Sequence, residues 1–245
     1  MIGIVVVSHS PALARAAVDL ALEMGGDRPP LVRIAAGAAG GATGTDAIAI
    51  ASAIDAVATP DGVLVVMDLG SAILSGGMAV EFVTADTTVR LSDAPFVEGL
   101  IAAVVMAGSG ASLDAVDAEA RRALDAKVTQ LEGSPGAAAV RQAAVGTAHR
   151  DDPADATFTG VIHNPSGLHA RPAAIFVKTV ARHDADVTVT DLRTGKGPAS
   201  GSSLISLMSL GVVQGAHVRV DARGPEAADV IRELERLVAD GFGEV

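Results

Sequence analysis

Four short apolar runs punctuate the first half of the chain: IGIVVV (Ile2–Val7), LVRIA (Leu31–Ala35), GVLVVM (Gly62–Met67) and TVRL (Thr88–Leu91). Ala- and Leu-rich stretches with helical spacing separate them and predict helices at about Ala12–Met24, Asp46–Ala58, Ala72–Thr84 and Phe96–Met106. A further helix is predicted at about Leu113–Thr129, after the GSGAS punctuation, with Ser112 as its cap. Strands that are apolar on both faces and alternate with helices predict an α/β unit built on an open parallel sheet.

The rhythm then changes. Leu131 to Ala156 reads LEGSPGAAAVRQAAVGTAHRDDPADA, with scattered apolar positions and no clear period. That composition predicts a flexible linker over residues 131–156, between a first domain at 1–130 and a second at 157–245. In the second domain, TFTGVIH, ADVTVTD and HVRVDA alternate as half-buried strands do. Helices are expected at Ala170–Arg182, Ser203–Leu210 and Pro225–Ala239. Mixed strands and helices without the βα rhythm predict an α+β fold.

Composition narrows the chemistry. With 245 residues and 49% hydrophobic content the chain can bury a real core. It has no cysteine, which excludes disulfides, thiolate catalysis and Cys-based metal sites. A net charge of -11, with neither Trp nor Tyr, argues against nucleic acid as a partner. The acidity is concentrated in residues 1–130, where 15 acids face 7 bases; residues 157–245 carry 10 and 9. No apolar run reaches the ~18 residues of a membrane span, and Met1 leads straight into a strand, so a cytoplasmic location is expected.

Two histidines stand where helices begin. His9 follows the first strand in VVVSHSPALA, at the strand edge where open α/β sheets place ligands. Ser10 suits the N-cap and Pro11 the first helical turn. A neutral imidazole there is a nucleophile beside unpaired N–H groups, which suits phosphoryl transfer. Its other nitrogen needs an orienting partner, and Asp68 in VVMDLGSA ends a strand of the same sheet. Gly70 and Ser71 open the next helix, and Gly44 and Thr45 in GATGTDA offer further N–H and hydroxyl donors. A histidine that only caps a helix, with Asp68 starting a turn, would satisfy the same pattern.

The second histidine, His169, lies in NPSGLHARPAAIFVK. A turn at Asn164–Gly167 precedes it, Pro172 suits the first helical turn, and the N–H groups of Ala170 and Arg171 can receive a phosphoryl oxygen. Arg171 adds a fork of donors. The remaining histidines, His149, His163, His183 and His217, form no metal-ligand spacing. No GxxxxGK[ST] loop is present, so phosphate must come from a phosphorylated partner or a small donor.

GLHARPAAIFVK and MSLGV resemble HPr, the histidine phosphocarrier of the bacterial phosphotransferase system, over about Thr157–Val238. The resemblance implies an open-faced sandwich, with three helices on one side of a four-stranded sheet. It also implies His169 as the phosphorylated residue, Arg171 as its shield, and Ser203 near a regulatory serine, although GKGPASGSS departs from the usual loop. VSHS, GTDA, MDLGSA and APFVEG resemble the mannose-type IIA domain, in particular that of the DhaM family of dihydroxyacetone kinase subunits. This implies His9 as a second phosphohistidine, Asp68 as its orienting carboxylate, and a homodimer formed through the IIA-like domain. Some members continue into a segment resembling the start of Enzyme I, whereas this sequence stops at FGEV.

In that family the phosphoryl group comes from phosphoenolpyruvate through Enzyme I and an HPr-like histidine. It passes to the IIA-like histidine and then to ADP on the DhaL subunit; DhaK holds the sugar. Free HPr is a further expected partner, and no cofactor is expected on this chain beyond the phosphohistidines. The same pair of domains would also serve a mannose-type sugar permease, or a regulator that binds partners according to phosphorylation state.

Overall fold

The computed structural model describes residues 1–26, 28–38, 42–132 and 154–244, which form two compact units, Met1–Leu124 and Asp125–Val245. The first is organised by a four-stranded parallel sheet of β1 (Gly3–Ser8), β2 (Val32–Ala36), β3 (Val63–Met67) and β4 (Val89–Ser92), in the order β2-β1-β3-β4. Each crossover carries a helix: α1 (Pro11–Gly25), α2 (Ala47–Val57) and α3 (Gly70–Val80), followed by α4 (Phe96–Gly108) and α5 (Leu113–Arg121). Every residue of the central strands β1 and β3 is buried, as their almost wholly apolar sequences require. Val5, Val7, Val63, Val65 and Met67 share one core cluster with Ile50 and Ile54 of α2 and Ala72 and Ala79 of α3. Alternation sends Ile4, Val6, Leu64 and Val66 to the opposite face, and they too are fully buried. At Gly3, an added Cβ would lie 2.2 Å from the Val57 carbonyl oxygen, so only glycine permits that approach of strand and helix.

Register decides what the sheet edge carries. Val7 pairs with Met67 across the parallel ladder, which puts Ser8 and His9 beside Asp68 at one edge. Asp68 continues the pairing with its own N–H, donated to the Val7 carbonyl at 3.2 Å.

The helix expected over Leu113–Thr129 is two helices. At the end of α5, Arg122 and Ala123 make i→i−3 bonds to Glu119 and Ala120, and a turn separates α5 from α6 (Asp125–Glu132). Helix α6 groups with the second unit, so the boundary drawn at residue 130 falls inside it. Most of the expected linker, residues 133–153, lies outside the described residues.

The second unit holds β5 (Ala156–Val161), α7 (Ala170–Val180), β6 (Asp186–Asp191), β7 (Ala199–Ser200), α8 (Leu204–Ser209), β8 (His217–Arg223) and α9 (Ala227–Ala239). Its antiparallel sheet has the order β5-β8-β6-β7. Phe158, Val189, Val218, Val220 and Ala222 bury one face, while Thr157, Thr159 and Arg219 stay exposed between them. Phe176 and Val177 of α7, Leu204 and Leu207 of α8 and Leu234 of α9 complete the core. This is the expected open-faced arrangement; the fourth strand, β7, has only two residues and leaves no period in the sequence.

Gly167 shapes the approach to α7. Its φ is +67°, and an added Cβ would lie 2.0 Å from the Val212 carbonyl oxygen. Gly167→Ala should therefore cost ~2–4 kcal/mol, from left-handed strain plus overpacking against backbone. Urea denaturation of the variant checks this, and unchanged stability would show that the turn relaxes freely.

Candidate functional site

Two sites emerge, each a histidine ahead of a helix. In the first unit, Ser10 adopts extended geometry and caps α1 by accepting the Leu13 N–H at 3.3 Å, with Pro11 at the first helical position. His9 is thereby held in the gap between strand and helix. Its Nδ1 lies 2.8 Å from Asp68 Oδ1, and its backbone N–H donates to Asp68 Oδ2 at 2.9 Å. Asp68 also accepts from the Ser8 hydroxyl at 2.8 Å and the Leu69 N–H at 2.7 Å.

Burial acts to push the Asp68 carboxyl up. Hydrogen bonds from the His9 N–H and ring, the Ser8 hydroxyl and the Leu69 N–H outweigh it and hold Asp68 below the usual 3.8. An ionised carboxylate only accepts, so Nδ1 carries the proton and Nε2 presents its lone pair. That nitrogen faces the Ser71 hydroxyl at 2.5 Å.

Asp68 does not cap α3. The N-cap is Leu69, without a side-chain cap bond, so Gly70 and Ser71 open an uncapped helix beside the imidazole. The expected donor role of Gly44 changes: its N–H is taken by the His9 carbonyl at 3.2 Å, so it steadies the histidine backbone. Thr45 Oγ1 pairs with Ser75 Oγ at 2.7 Å. The Ser10 hydroxyl is engaged as a cap, and its N–H donates to Ser8 Oγ at 3.1 Å.

In the second unit His169 is itself the N-cap of α7, with no side-chain cap bond, so the first-turn N–H groups at Ala170 and Arg171 have no side-chain cap. Its Nε2 lies 3.2 Å from Glu244 Oε2, and Arg171 Nε lies 3.9 Å from Glu244 Oε1. Fully buried Asn164 fixes that carboxylate by donating to Oε2 at 2.7 Å and to the Gly241 carbonyl at 2.8 Å. A 3-10 turn at Gly241–Gly243, anchored by buried Phe242, presents Glu244. Ser203 caps α8, accepting the Ser206 N–H at 3.0 Å and donating to Ser206 Oγ at 2.9 Å.

Sequence reasoning missed Ser8, Ser75 and Glu244, and read Asn164 only as a turn residue. Ser8 could have been found as a polar residue closing an apolar strand. Glu244 lies 75 residues from His169 and has no local signal. Among the described residues, no group of three or more His, Asp or Glu side chains could hold a metal ion, and no helix is long and apolar enough to cross a membrane.

The units that carry these two histidines each match a known family. Residues 3–117 match the family described as PTS system fructose IIA component, and residues 156–240 the PTS HPr component phosphorylation site. The chain thus carries matches to two phosphotransferase-system modules, a IIA component in the first unit and HPr in the second.

It resembles the phosphoryl donor subunit DhaM of PEP-dependent dihydroxyacetone kinase along its whole length. It is 38% identical over 248 residues to DhaM of Klebsiella michiganensis and 37% identical over 248 residues to that of Escherichia coli. Each comparison covers 100% of this chain and 51% of the relative, so the chain spans about half the length of these curated relatives. The crystal structure of HPr-C-His from Thermoanaerobacter tengcongensis is 36% identical, covering 37% of this chain and 98% of that one, with a TM-score of 0.34.

If His9 carries a phosphoryl group, Asp68→Asn should fold yet slow transfer there by roughly 10–10³-fold, because the amide no longer enforces the Nδ1–H tautomer. Single-turnover rates on the folded variant decide this, and equal rates would reduce Asp68 to a turn residue. The depressed carboxyl also predicts a pH effect. Its stabilising contribution is fully present above the unfolded value of 3.8 and is lost as pH falls through the lower folded value. Acid denaturation below pH 3.8 should therefore be shallower in Asp68→Asn than in the wild type.

Proposed function

We propose that this chain is the phosphohistidine relay of a phosphoenolpyruvate-dependent dihydroxyacetone kinase. His169 receives the phosphoryl group from Enzyme I, His9 receives it next, directly from His169 or from free HPr, and ADP on a DhaL subunit is the final acceptor. DhaK is the sugar-binding partner. The observation that carries this reading is the opposite pairing of the two rings: Asp68 takes Nδ1 of His9, whereas Glu244 takes Nε2 of His169. Each carboxylate fixes one nitrogen as a donor and leaves the other as the nucleophile.

At His9 the Nε2 lone pair attacks phosphorus. The new N–P bond forms as the donor's N–P bond breaks, and that electron pair returns to the donor imidazole. Asp68 supports the imidazolium character of the substituted ring. The Ser71 hydroxyl, released from Nε2, can donate to a phosphoryl oxygen, as can the N–H groups of Gly70 and Ser71. Transfer to ADP reverses the logic: a terminal oxygen of the diphosphate attacks, the N–P bond breaks, and neutral His9 is restored. At His169, Nδ1 is the attacking nitrogen, with Ala170 N–H and the Arg171 guanidinium around the phosphoryl oxygens. Glu244 must yield as that negative charge arrives.

Homodimerisation through the first unit is part of this reading. Leu69, Ile73, Leu74, Met78 and Phe82 leave a large apolar strip exposed along α3, beside Ser71. A cytoplasmic setting suits a relay between soluble donors and acceptors.

The label should be acid-labile and alkali-stable, as for a phosphoramidate. With Enzyme I, free HPr and phosphoenolpyruvate, His169→Ala should carry label only on His9, and without free HPr it should carry none. His9→Ala should still label at His169 but deliver nothing to the kinase. Phosphopeptide mapping with kinase output in parallel tests the order, and full output from His9→Ala would break it.

A further inference from the structure

Ser8 is the one polar residue of β1, and its side chain is wholly buried at the strand's end. Its Oγ lies 2.8 Å from Asp68 Oδ2, accepts the Ser10 N–H at 3.1 Å, and lies 3.2 Å from the Ser10 carbonyl oxygen. A hydroxyl has one proton to give, and the nearer, charged acceptor takes it. Each oxygen of Asp68 then meets two donors: Oδ1 the imidazole and Leu69 N–H, and Oδ2 the His9 N–H and Ser8. Four donors fix the plane of the carboxylate.

We propose that Ser8 is a positioning residue for phosphoryl transfer at His9. Its hydroxyl holds Asp68 in the one rotation that aims Oδ1 at Nδ1, so that Nδ1 keeps the proton and Nε2 stays the bare nitrogen. The proposal rests on His9 being a phosphoryl carrier. The same hydroxyl also receives the backbone of Ser10, so the α1 cap, the end of β1 and the end of β3 meet at one oxygen. Without it, Oδ2 keeps a single donor. The carboxylate becomes freer to turn, its hold on Nδ1–H slackens, and the imidazole proton divides between the two nitrogens. Less of His9 then presents a bare Nε2.

The test uses the full chain with 15N-labelled histidine, as wild type, Ser8→Ala and Ser8→Thr. The tautomer of His9 is read from its ring 15N shifts at one pH, and single-turnover labelling of His9 and His169 is followed with Enzyme I, HPr and phosphoenolpyruvate. Ser8→Ala should slow labelling of His9 by about 10-fold, in line with the loss of an outer hydrogen-bond partner. Its ring 15N shifts should move from those of a single Nδ1–H tautomer toward the average of the two tautomers. His169 labelling should not change, and Ser8→Thr, which keeps the hydroxyl, should restore the His9 rate. Unmoved 15N shifts with a wild-type rate overturn the proposal. So does a slowed rate with unmoved 15N shifts, since general packing damage would do that. Absence of label on His9 in the wild type instead overturns the carrier reading beneath it.

Discussion

The hydrogen bond between a carboxylate and one nitrogen of an imidazole is the interaction on which both sites depend. A free neutral imidazole divides its proton between two nitrogens, and a nucleophile needs the same one bare every time. At His9 the choice is made by Asp68 within 2.8 Å of Nδ1. At His169 it is made by Glu244 on the opposite nitrogen. The fold is the means of bringing each carboxylate to that distance.

The two units do this by different physics. In the first, parallel pairing of β1 and β3 in a fixed register carries His9 and Asp68 to the same edge, and a slip of one residue would turn the alternating side chains over. The burial of Val5, Val7, Val63 and Val65 against α2 and α3 therefore also protects the geometry of the dyad. In the second, no ladder links histidine to carboxylate. Buried Asn164 and the buried ring of Phe242 bring the chain back to the mouth of α7. The first site is held by its sheet, and the second is assembled from a turn and the 3-10 segment that follows α9.

That difference explains what the sequence revealed. Strands β1 and β3 were legible because both faces are buried and their residues are almost all aliphatic. The strand-to-helix step at Ser10-Pro11 was legible from cap chemistry. Asp68 could be placed because the ends of neighbouring parallel strands converge. The role given to Gly44 failed because a glycine-rich loop says that N–H groups are available without saying which carbonyl claims them. The break after Arg121 was hidden because Ala, Leu and Asp continue a helical pattern through the turn. Glu244 was beyond reach, since nothing local ties the tail of a domain to a loop at its beginning.

The tail that carries Glu244 also gives the two histidines different histories during synthesis. Once the ribosome has released β1 to β3, the elements that set His9 against Asp68 exist in full. His169 must wait for Phe242 and Glu244, the last described residues of its unit, before its ring has a partner. One histidine is therefore paired early in synthesis, by the ends of two neighbouring strands. The other gains its partner only after Phe242 and Glu244 have emerged.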